Sequence, residues 1–332
     1  MNRRVDAMRR VMFTALLVAS LAAAAPAAAQ YRAPRTSFGD PDLQGLWTNA
    51  SITTLERPSF AAKAVVSPEE ARAIEAATNN RLSADSRPTD PSVGAPRAGG
   101  EVRGYNAFWL DLGAKLAVVK GEIRTSWVVD PPSGRVPYSA AGLRALRAAA
   151  SRSFDGPEAR SLGERCIVGY GSTGGPPMLN VLYNNHYQIV QSPGHVTIVV
   201  EMNHDARIIR LGGTHPPDHI RPWMGDSIGR WEGDTLVVET TNLHPGQSFT
   251  ADSRHRLYLA PNAKVTERFT RVAADEILYE FSVEDATAYT QTWRGEIPMR
   301  AAKGPMYEYA CHEGNHSLGN ILRGARYQEK KR

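Results

Sequence analysis

The sequence predicts a mainly β protein in which an antiparallel meander of strands closes into a barrel, with a few peripheral helices and long loops. From residue 180 onward, short runs rich in β-branched and aromatic residues alternate with hairpin turns. Helical patterns are few in the same part of the chain, which is typical of all-β folds. A barrel of about eight strands leaves an interior that can hold one small ligand. A sandwich of two sheets is the alternative architecture.

The first 29 residues have the pattern of a secretory signal peptide. Arginine pairs at 3–4 and 9–10 precede an apolar stretch over 11–25, and three alanines at 27–29 form a cleavage site. Removing this segment takes away four arginines and one aspartate and leaves +2 of the formal net charge of +5. So small a charge does not favour nucleic acid as a partner, and no membrane span is expected after the signal is removed. We expect a periplasmic or secreted protein.

Residues 30–180 are predicted to be an N-terminal extension that packs on the barrel. Gly45-Leu46-Trp47 opens a strand that runs to about Ile52. Ser67-Pro68-Glu69-Glu70 is a capping box with proline at the first helical position, so a helix is expected over 68–78. The other expected elements are a strand over 124–130, a helix over 139–151, a loop over 79–100 and an irregular segment over 152–180.

Residues 181–332 are predicted to be the main meander with a C-terminal helix. Two strands over 187–191 and 195–202 flank the turn Ser192-Pro193-Gly194, since proline presets φ and glycine accepts a positive φ. The later expected elements are a turn at 203–205, strands at 207–211, 228–231, 235–241, 264–272, 276–284, 288–294 and 306–311, a loop at 242–263 and a helix at 318–328.

Five groups of motifs resemble a family of secreted bacterial proteins that are known mainly as uncharacterised sequences. They are RTS at 124–126 with DPP at 130–132, YNN at 183–185 with QIVQ at 188–191, EMNHDAR at 201–207, GRWEGDTLVVET at 229–240 and YEYACHEGN at 307–315. The resemblance covers most of residues 40–326 and implies export, but it implies no particular activity.

A second resemblance, to lipocalin-like barrels, concerns the architecture alone. Gly45-x-Trp47 at an opening strand is similar to the first motif of those barrels, and a meander follows it. This chain departs from them by an insertion of some 130 residues between Trp47 and the main run of strands.

The chain has two cysteines, Cys166 and Cys311. In an oxidising compartment they are expected to form one disulfide, which would be worth about 4–5 kcal/mol in the chain-entropy model. Two buried free thiols are the alternative. A disulfide would pin the end of the last predicted strand and hold the neighbouring His312 in place.

Ionisable residues gather at the ends of the predicted strands. His204 and Asp205 lie at a hairpin tip with Glu201 nearby, and these three, together with His312, are the predicted catalytic residues, since an imidazole oriented by a carboxylate can transfer protons near neutral pH. A solvated turn is the alternative for His204 and Asp205. The prediction requires that His204 and His312 open onto one cavity.

Five further residues are predicted to bind the substrate. Arg207 would hold an oxyanion or a carboxylate, and the others would shape the pocket: Asn185, Tyr187, Trp223 and Tyr309. Glutamates on the strand faces, such as Glu267, need a partner such as Arg207 if they point inward.

No cofactor or metal is expected. The chain has no nucleophile elbow, phosphate-binding loop or dinucleotide fingerprint, and the prolines between His215 and His219 keep these two off one helix face. The first hypothesis is therefore a cofactor-independent acid/base enzyme, a lyase or an isomerase, for a hydrophobic or aromatic small molecule held in the barrel. The alternatives are a lipocalin-like carrier and a structural or partner-binding protein of the cell envelope. A carrier needs an apolar cavity, whereas an enzyme needs two ionisable groups that face one cavity.

Overall fold

Nine strands form a closed barrel in the computed structural model, which describes residues 31–86, 92, 110–151, 153–252 and 254–331. The predicted signal peptide over residues 1–29 lies outside the described residues. In chain order the elements are β1 (Gly45–Thr48), β2 (Val65–Val66), α1 (Pro68–Asp85), β3 (Val118–Val119), β4 (Glu122–Arg124), β5 (Val128–Asp130), α2 (Ala140–Ala150), β6 (His186–Ser192), β7 (His195–Val200), β8 (Ala206–Leu211), β9 (Asp226–Glu232), β10 (Thr235–Thr241), β11 (Phe249–Ala251), β12 (Arg256–Tyr258), β13 (Lys264–Ala273), β14 (Glu276–Glu284), β15 (Trp293–Ala301) and α3 (His316–Glu329).

The barrel follows the order β1, β6, β7, β8, β9, β10, β13, β14 and β15, and β15 pairs back with β1. β1 thus comes from the N-terminal part of the chain and closes the sheet. β5 pairs with the same edge of β15 as β1 does, but nearer the start of β15. All barrel pairs are antiparallel except β8 and β9, which run parallel. The meander is therefore interrupted once, because the long loop over 212–225 carries the chain back to the end of the barrel where β8 began.

Side chains fill the barrel interior. Large aromatic residues from opposite walls are fully buried there, among them Trp47, Tyr187, Phe269, Tyr279 and Trp293. Burial of each such side chain stabilises the fold by about 1.5–3 kcal/mol. The sequence predicted space for a ligand inside the barrel, and these side chains occupy much of that interior.

A buried ion pair crosses the same interior. The Arg207 guanidinium donates to both carboxylate oxygens of Glu267, at 2.9 and 2.5 Å, and the Tyr279 hydroxyl donates to Glu267 Oε1 at 2.7 Å. Arg207 is thus the partner that an inward-pointing Glu267 requires. The guanidinium predicted to bind substrate is committed to a glutamate inside the core.

The predicted helices are present with shifted ends. Ser67 caps α1 as expected, and the Ser67 side chain and Glu70 form the complete capping box. The Ser139 side chain caps α2. α1 extends to Asp85 rather than to residue 78, and α3 covers the predicted C-terminal helix. Among the described residues, no helix is both long and apolar enough to span a bilayer.

Four predicted segments differ from the structure. The first strand ends at Thr48, the strand predicted over 124–130 is split between β4 and β5, and residues 242–263 contain the β11–β12 hairpin rather than a simple loop. The fourth difference concerns the strands predicted at 288–294 and 306–311. β15 instead covers Trp293–Ala301, and residues 302–311 form no strand.

Pro298 makes β15 hard to recognise in the sequence, because proline has no N–H to donate to a neighbouring strand. The Glu296 N–H donates to the Trp127 carbonyl, away from β14, and alternate residues of a strand point their N–H groups to the same edge. The nitrogen of residue 298 therefore points to the edge of β15 that pairs with β5 and β1. It lies between those two pairings, where no strand accepts a hydrogen bond from it.

Cys166 and Cys311 form the predicted disulfide, with their Cα atoms 5.6 Å apart. The bond joins the irregular segment after α2 to the segment that follows β15. It thereby holds residues 302–311 against the end of the barrel, although they belong to no strand.

Candidate functional site

A cavity of about 870 Å³ lies at the end of the barrel where β6 begins and β7 ends. We call it the barrel-end cavity. Its walls come from residues 110–111, 183–184 and 307–310 together with His186 and Glu201. Cavities of this size commonly hold small molecules.

The β6–β7 hairpin places an imidazole against a carboxylate in this cavity. Tyr187 pairs with Val200, so the next residues outward, His186 and Glu201, stand opposite each other. His186 Nδ1 lies 2.9 Å from Glu201 Oε2, and Glu201 Oε1 accepts the Tyr307 N–H at 2.8 Å. Glu201 is only 3% exposed, so this carboxylate is buried with both of its oxygens hydrogen-bonded.

Asp111 supplies a second carboxylate, with Oδ2 3.4 Å from the same nitrogen of His186. The Asn185 N–H donates to this oxygen at 3.2 Å, and the Asn185 side chain donates to the carbonyls of Asp111 and Val181. Asn185, a predicted substrate-binding residue, is fully buried. In the structure it holds Asp111 beside His186 and does not itself line the cavity.

The three ionisable groups shift one another's proton affinity. The hydrogen bond to Glu201 raises the pKa of His186 above its ordinary value of 6.5, although burial opposes this. Burial pushes the pKa of Glu201 upward, but the bonds from His186 and Tyr307 outweigh it and leave that pKa below its ordinary value. Burial also raises the pKa of Asp111. Among the described residues, Glu201 and Asp111 form ion pairs with His186 alone.

These contacts define the tautomer of His186. An ionised carboxylate only accepts hydrogen bonds, so the hydrogen between His186 and Glu201 belongs to Nδ1. In the neutral ring the lone pair then sits on Nε2, and this nitrogen is the basic one. The His186 side chain is 25% exposed, so a molecule in the cavity can reach the ring.

Aromatic rings form another part of the walls. The rings of Tyr183 and Tyr309 are nearly parallel, with centroids 6.3 Å apart and planes inclined by 14°. Tyr309 was predicted to bind substrate, and it lies between two anchors, the Tyr307–Glu201 hydrogen bond and the Cys311 disulfide. The segment that carries these tyrosines is therefore held in place on both sides.

The other predicted catalytic residues do not line the barrel-end cavity. His204 is exposed and has a positive φ of 43°, and His312 is exposed as well. The Asp205 carboxylate accepts the Gly169 N–H at 2.8 Å, and burial raises its pKa. The prediction requires that His204 and His312 open onto one cavity, and neither of them lines the barrel-end cavity.

Two predicted binding residues also lie elsewhere. Tyr187 is fully buried in the barrel, where its hydroxyl accepts a hydrogen bond from the Asn49 side chain at 3.1 Å and burial raises its pKa. Trp223 packs against His244, with ring centroids 3.8 Å apart.

The prediction from sequence omitted His186, Asp111 and Tyr183. A usable signal existed for His186, because a tight turn at Pro193-Gly194 pairs Ser192 with His195, and counting outward from that pair brings His186 opposite Glu201. No comparable signal exists for Asp111, which reaches the site from a distant part of the chain.

Comparison of the chain with protein-family models and with curated proteins finds no match. Within the described ranges, no group of three or more His, Cys, Asp or Glu side chains is arranged to hold a metal ion. The arguments for a function therefore rest on the geometry of the barrel-end cavity.

Proposed function

We propose that this protein is a cofactor-independent acid/base enzyme, of the lyase or isomerase type, that acts on a hydrophobic or aromatic small molecule in the barrel-end cavity. One observation carries the proposal. His186 has one ring nitrogen bonded to a buried carboxylate while its ring borders an aromatic-walled cavity. A histidine oriented in this way is suited to take a proton from a bound molecule and to return it.

In the proposed reaction, His186 Nε2 removes a proton from a carbon atom of the substrate. The electron pair of the broken C–H bond either forms a new double bond as a leaving group departs, as in a lyase, or shifts along the molecule, as in an isomerase. The imidazolium then returns the proton to the leaving group or to a second carbon atom. Glu201 keeps the ring oriented and stabilises the imidazolium, since an ionised carboxylate lies on Nδ1.

Charge in the cavity limits the class of substrate. Among the residues that the structure describes, the walls contain the carboxylates of Asp111, Glu201 and Glu308 but no lysine or arginine. An anionic substrate would therefore be repelled, and the oxyanion-binding role predicted for Arg207 has no counterpart here. A neutral molecule with a flat apolar part fits the charge and the tyrosine rings.

The disulfide supports the proposal that the protein works in the periplasm or is secreted, because such bonds persist in oxidising compartments. A lipocalin-like carrier is the less supported alternative, since it would hold its ligand inside a barrel whose interior is packed here. A purely structural role does not account for the His186–Glu201 pair at the wall of the cavity.

A neutral aromatic carbon acid tests the proposal without knowledge of the natural substrate. A nitro-substituted benzisoxazole loses its ring C–H proton to a base while its N–O bond breaks, and the coloured cyanophenolate that forms is measured by absorbance. We expect the protein to accelerate this elimination and His186→Gln to lower the rate by about 10²- to 10⁴-fold. His312→Ala is the matched control, since His312 is exposed outside the cavity, and it should keep the wild-type rate.

Two outcomes would contradict the proposal. One is a wild-type rate no higher than that of free imidazole at the same concentration. The other is a His186→Gln variant that is as active as the wild type.

A further inference from the structure

A second cavity, of about 500 Å³, lies on the other side of residues 110–112 from the barrel-end cavity. Its walls come from α1, the segment over 52–60 that follows β1, and the turn between β11 and β12. We call it the arginine cavity. Neither its residues nor its chemistry enters the reaction proposed above.

Aliphatic side chains line one part of the arginine cavity. Most of them belong to a small hydrophobic cluster that is separate from the barrel core. They are Ile52, Ile74, Leu82, Leu112, Leu116 and Leu182. Phe60 is the one aromatic residue among the described wall residues, and the aliphatic side chains outnumber it, so the apolar part suits a flexible aliphatic chain more than a flat ring.

Among the described wall residues, five are arginines, whereas Glu56 is the one acidic residue. The arginines are Arg57, Arg81, Arg135, Arg254 and Arg256. Among the described residues, none of these five arginines forms an ion pair with a carboxylate. Several arginines elsewhere in the described part of the chain do form such pairs. The Glu56 carboxylate accepts the Val136 N–H at 2.8 Å. The cavity therefore has a large excess of positive charge.

Two of the wall residues are charged or polar groups that the fold leaves incompletely satisfied. Arg254 donates to the carbonyls of Ser51 and Thr53, at 2.9 and 2.8 Å, and burial lowers its pKa to about 10. The neighbouring His255 is buried with its Nδ1 3.3 Å from Asp252 Oδ1, and its Nε2 has no hydrogen-bond partner among the described residues. A buried cation and a buried unpaired nitrogen are both costly unless another group joins them.

We propose that the arginine cavity binds an aliphatic monocarboxylate, with the carboxylate held by the arginines and His255 and the alkyl chain on the isoleucine and leucine side chains. A carboxylate supplies acceptors to the arginines in the geometry that guanidinium groups favour. It also adds to the Asp252 carboxylate in compensating the buried charge of Arg254. The alkyl chain covers apolar surface that the fold otherwise leaves open to the cavity.

Calorimetric titration of the wild-type protein with three ten-carbon probes tests the proposal. Decanoate, decanol and decyltrimethylammonium share an alkyl chain and differ in the charge of the headgroup. We expect decanoate to bind at least about tenfold more tightly than decanol, because hydrogen bonds to charged groups are the stronger ones. The ammonium compound should bind the least. Equal affinities for decanoate and decanol would overturn the proposal.

Variants then locate the binding site. Arg254 donates to two carbonyls of the segment over 51–53 and supports its backbone, so the paired variant Arg135→Gln/Arg256→Gln, at exposed positions, replaces it as the main test. We expect a loss of decanoate affinity of about tenfold or more. Arg230→Gln, an exposed arginine on β9 outside both cavities, and Tyr309→Ala, in the barrel-end cavity, should leave decanoate binding unchanged. The proposal is wrong if the paired variant binds decanoate as the wild type does, or if Tyr309→Ala abolishes binding.

Discussion

Two clusters among the described residues place a histidine beside two carboxylates, and their surroundings differ. In the first, both carboxylates approach one nitrogen, since Glu201 and Asp111 lie 2.9 and 3.4 Å from His186 Nδ1. In the second, His215 Nδ1 lies 2.6 Å from Asp226, while its Nε2 lies 3.6 Å from Glu239. The first arrangement leaves Nε2 for a bound molecule, whereas the second places a carboxylate near each nitrogen.

Neighbouring cations separate the two clusters further. Arg210 donates to both oxygens of Asp226, at 2.8 and 2.9 Å, and Lys264 lies 3.8 Å from Glu239. Within the described part of the chain, no such cation pairs with Glu201 or Asp111. A histidine–carboxylate contact alone therefore does not identify a catalytic site. The useful features are a free nitrogen, uncompensated carboxylates and an adjoining cavity.

The largest expected effect comes from neutralising the carboxylate that is hydrogen-bonded to each histidine. Glu201→Gln should lower the rate of benzisoxazole elimination by about 10²-fold or more, since the amide no longer stabilises the imidazolium or selects its tautomer. Asp226→Asn makes the same change in the second cluster and should leave this rate unchanged. Equal losses of kcat/KM in the two variants would show that the His186 and His215 clusters do not differ in function.

The pH dependence of the rate tests the same difference more finely. Hydrogen bonding to Glu201 raises the pKa of His186, so the imidazole is protonated up to a higher pH than the ordinary value of 6.5. Only the neutral ring accepts a proton, and the rate should therefore rise with pH through a midpoint above that value. Glu201→Gln should move the midpoint to lower pH. A rate profile together with NMR titration of the His186 ring checks this, and a midpoint that does not move in the variant would argue against the role of Glu201.

The smallest expected effect concerns the stability of the second cluster. Arg210→Gln should lower the free energy of unfolding by at most about 1 kcal/mol, because the Arg210 side chain is 41% exposed and water screens the pair. Turnover should not change. Urea denaturation measures the stability, and a loss of turnover without a loss of stability would mean that this cluster takes part in the reaction.

Local patterns anticipated much of the fold. The capping box of α1, the turn at Pro193-Gly194 and the Cys166–Cys311 disulfide all occur as expected. Each depends on residues close in sequence or, for the disulfide, on there being two cysteines in the chain. The signal peptide and the resemblance to secreted bacterial proteins stay predictions.

The candidate site was anticipated only in part. Glu201 and Tyr309 line the barrel-end cavity, whereas His204 and His312 do not. Clustering in the sequence favoured His204, but adjacent residues in a turn point in different directions, and its imidazole is exposed. His186 lies fifteen positions from Glu201, and only the hairpin brings the two together.

Alternation and turn residues were enough to predict the strands, because the direction of a side chain along a strand depends on its immediate neighbours in sequence. They also contained the register that pairs His186 with Glu201. The closure of the barrel by β1, the parallel step from β8 to β9, the filled interior and the approach of Asp111 to His186 depend on contacts between distant parts of the chain. Such contacts are selected by the packing of the whole molecule, which no short stretch of sequence encodes.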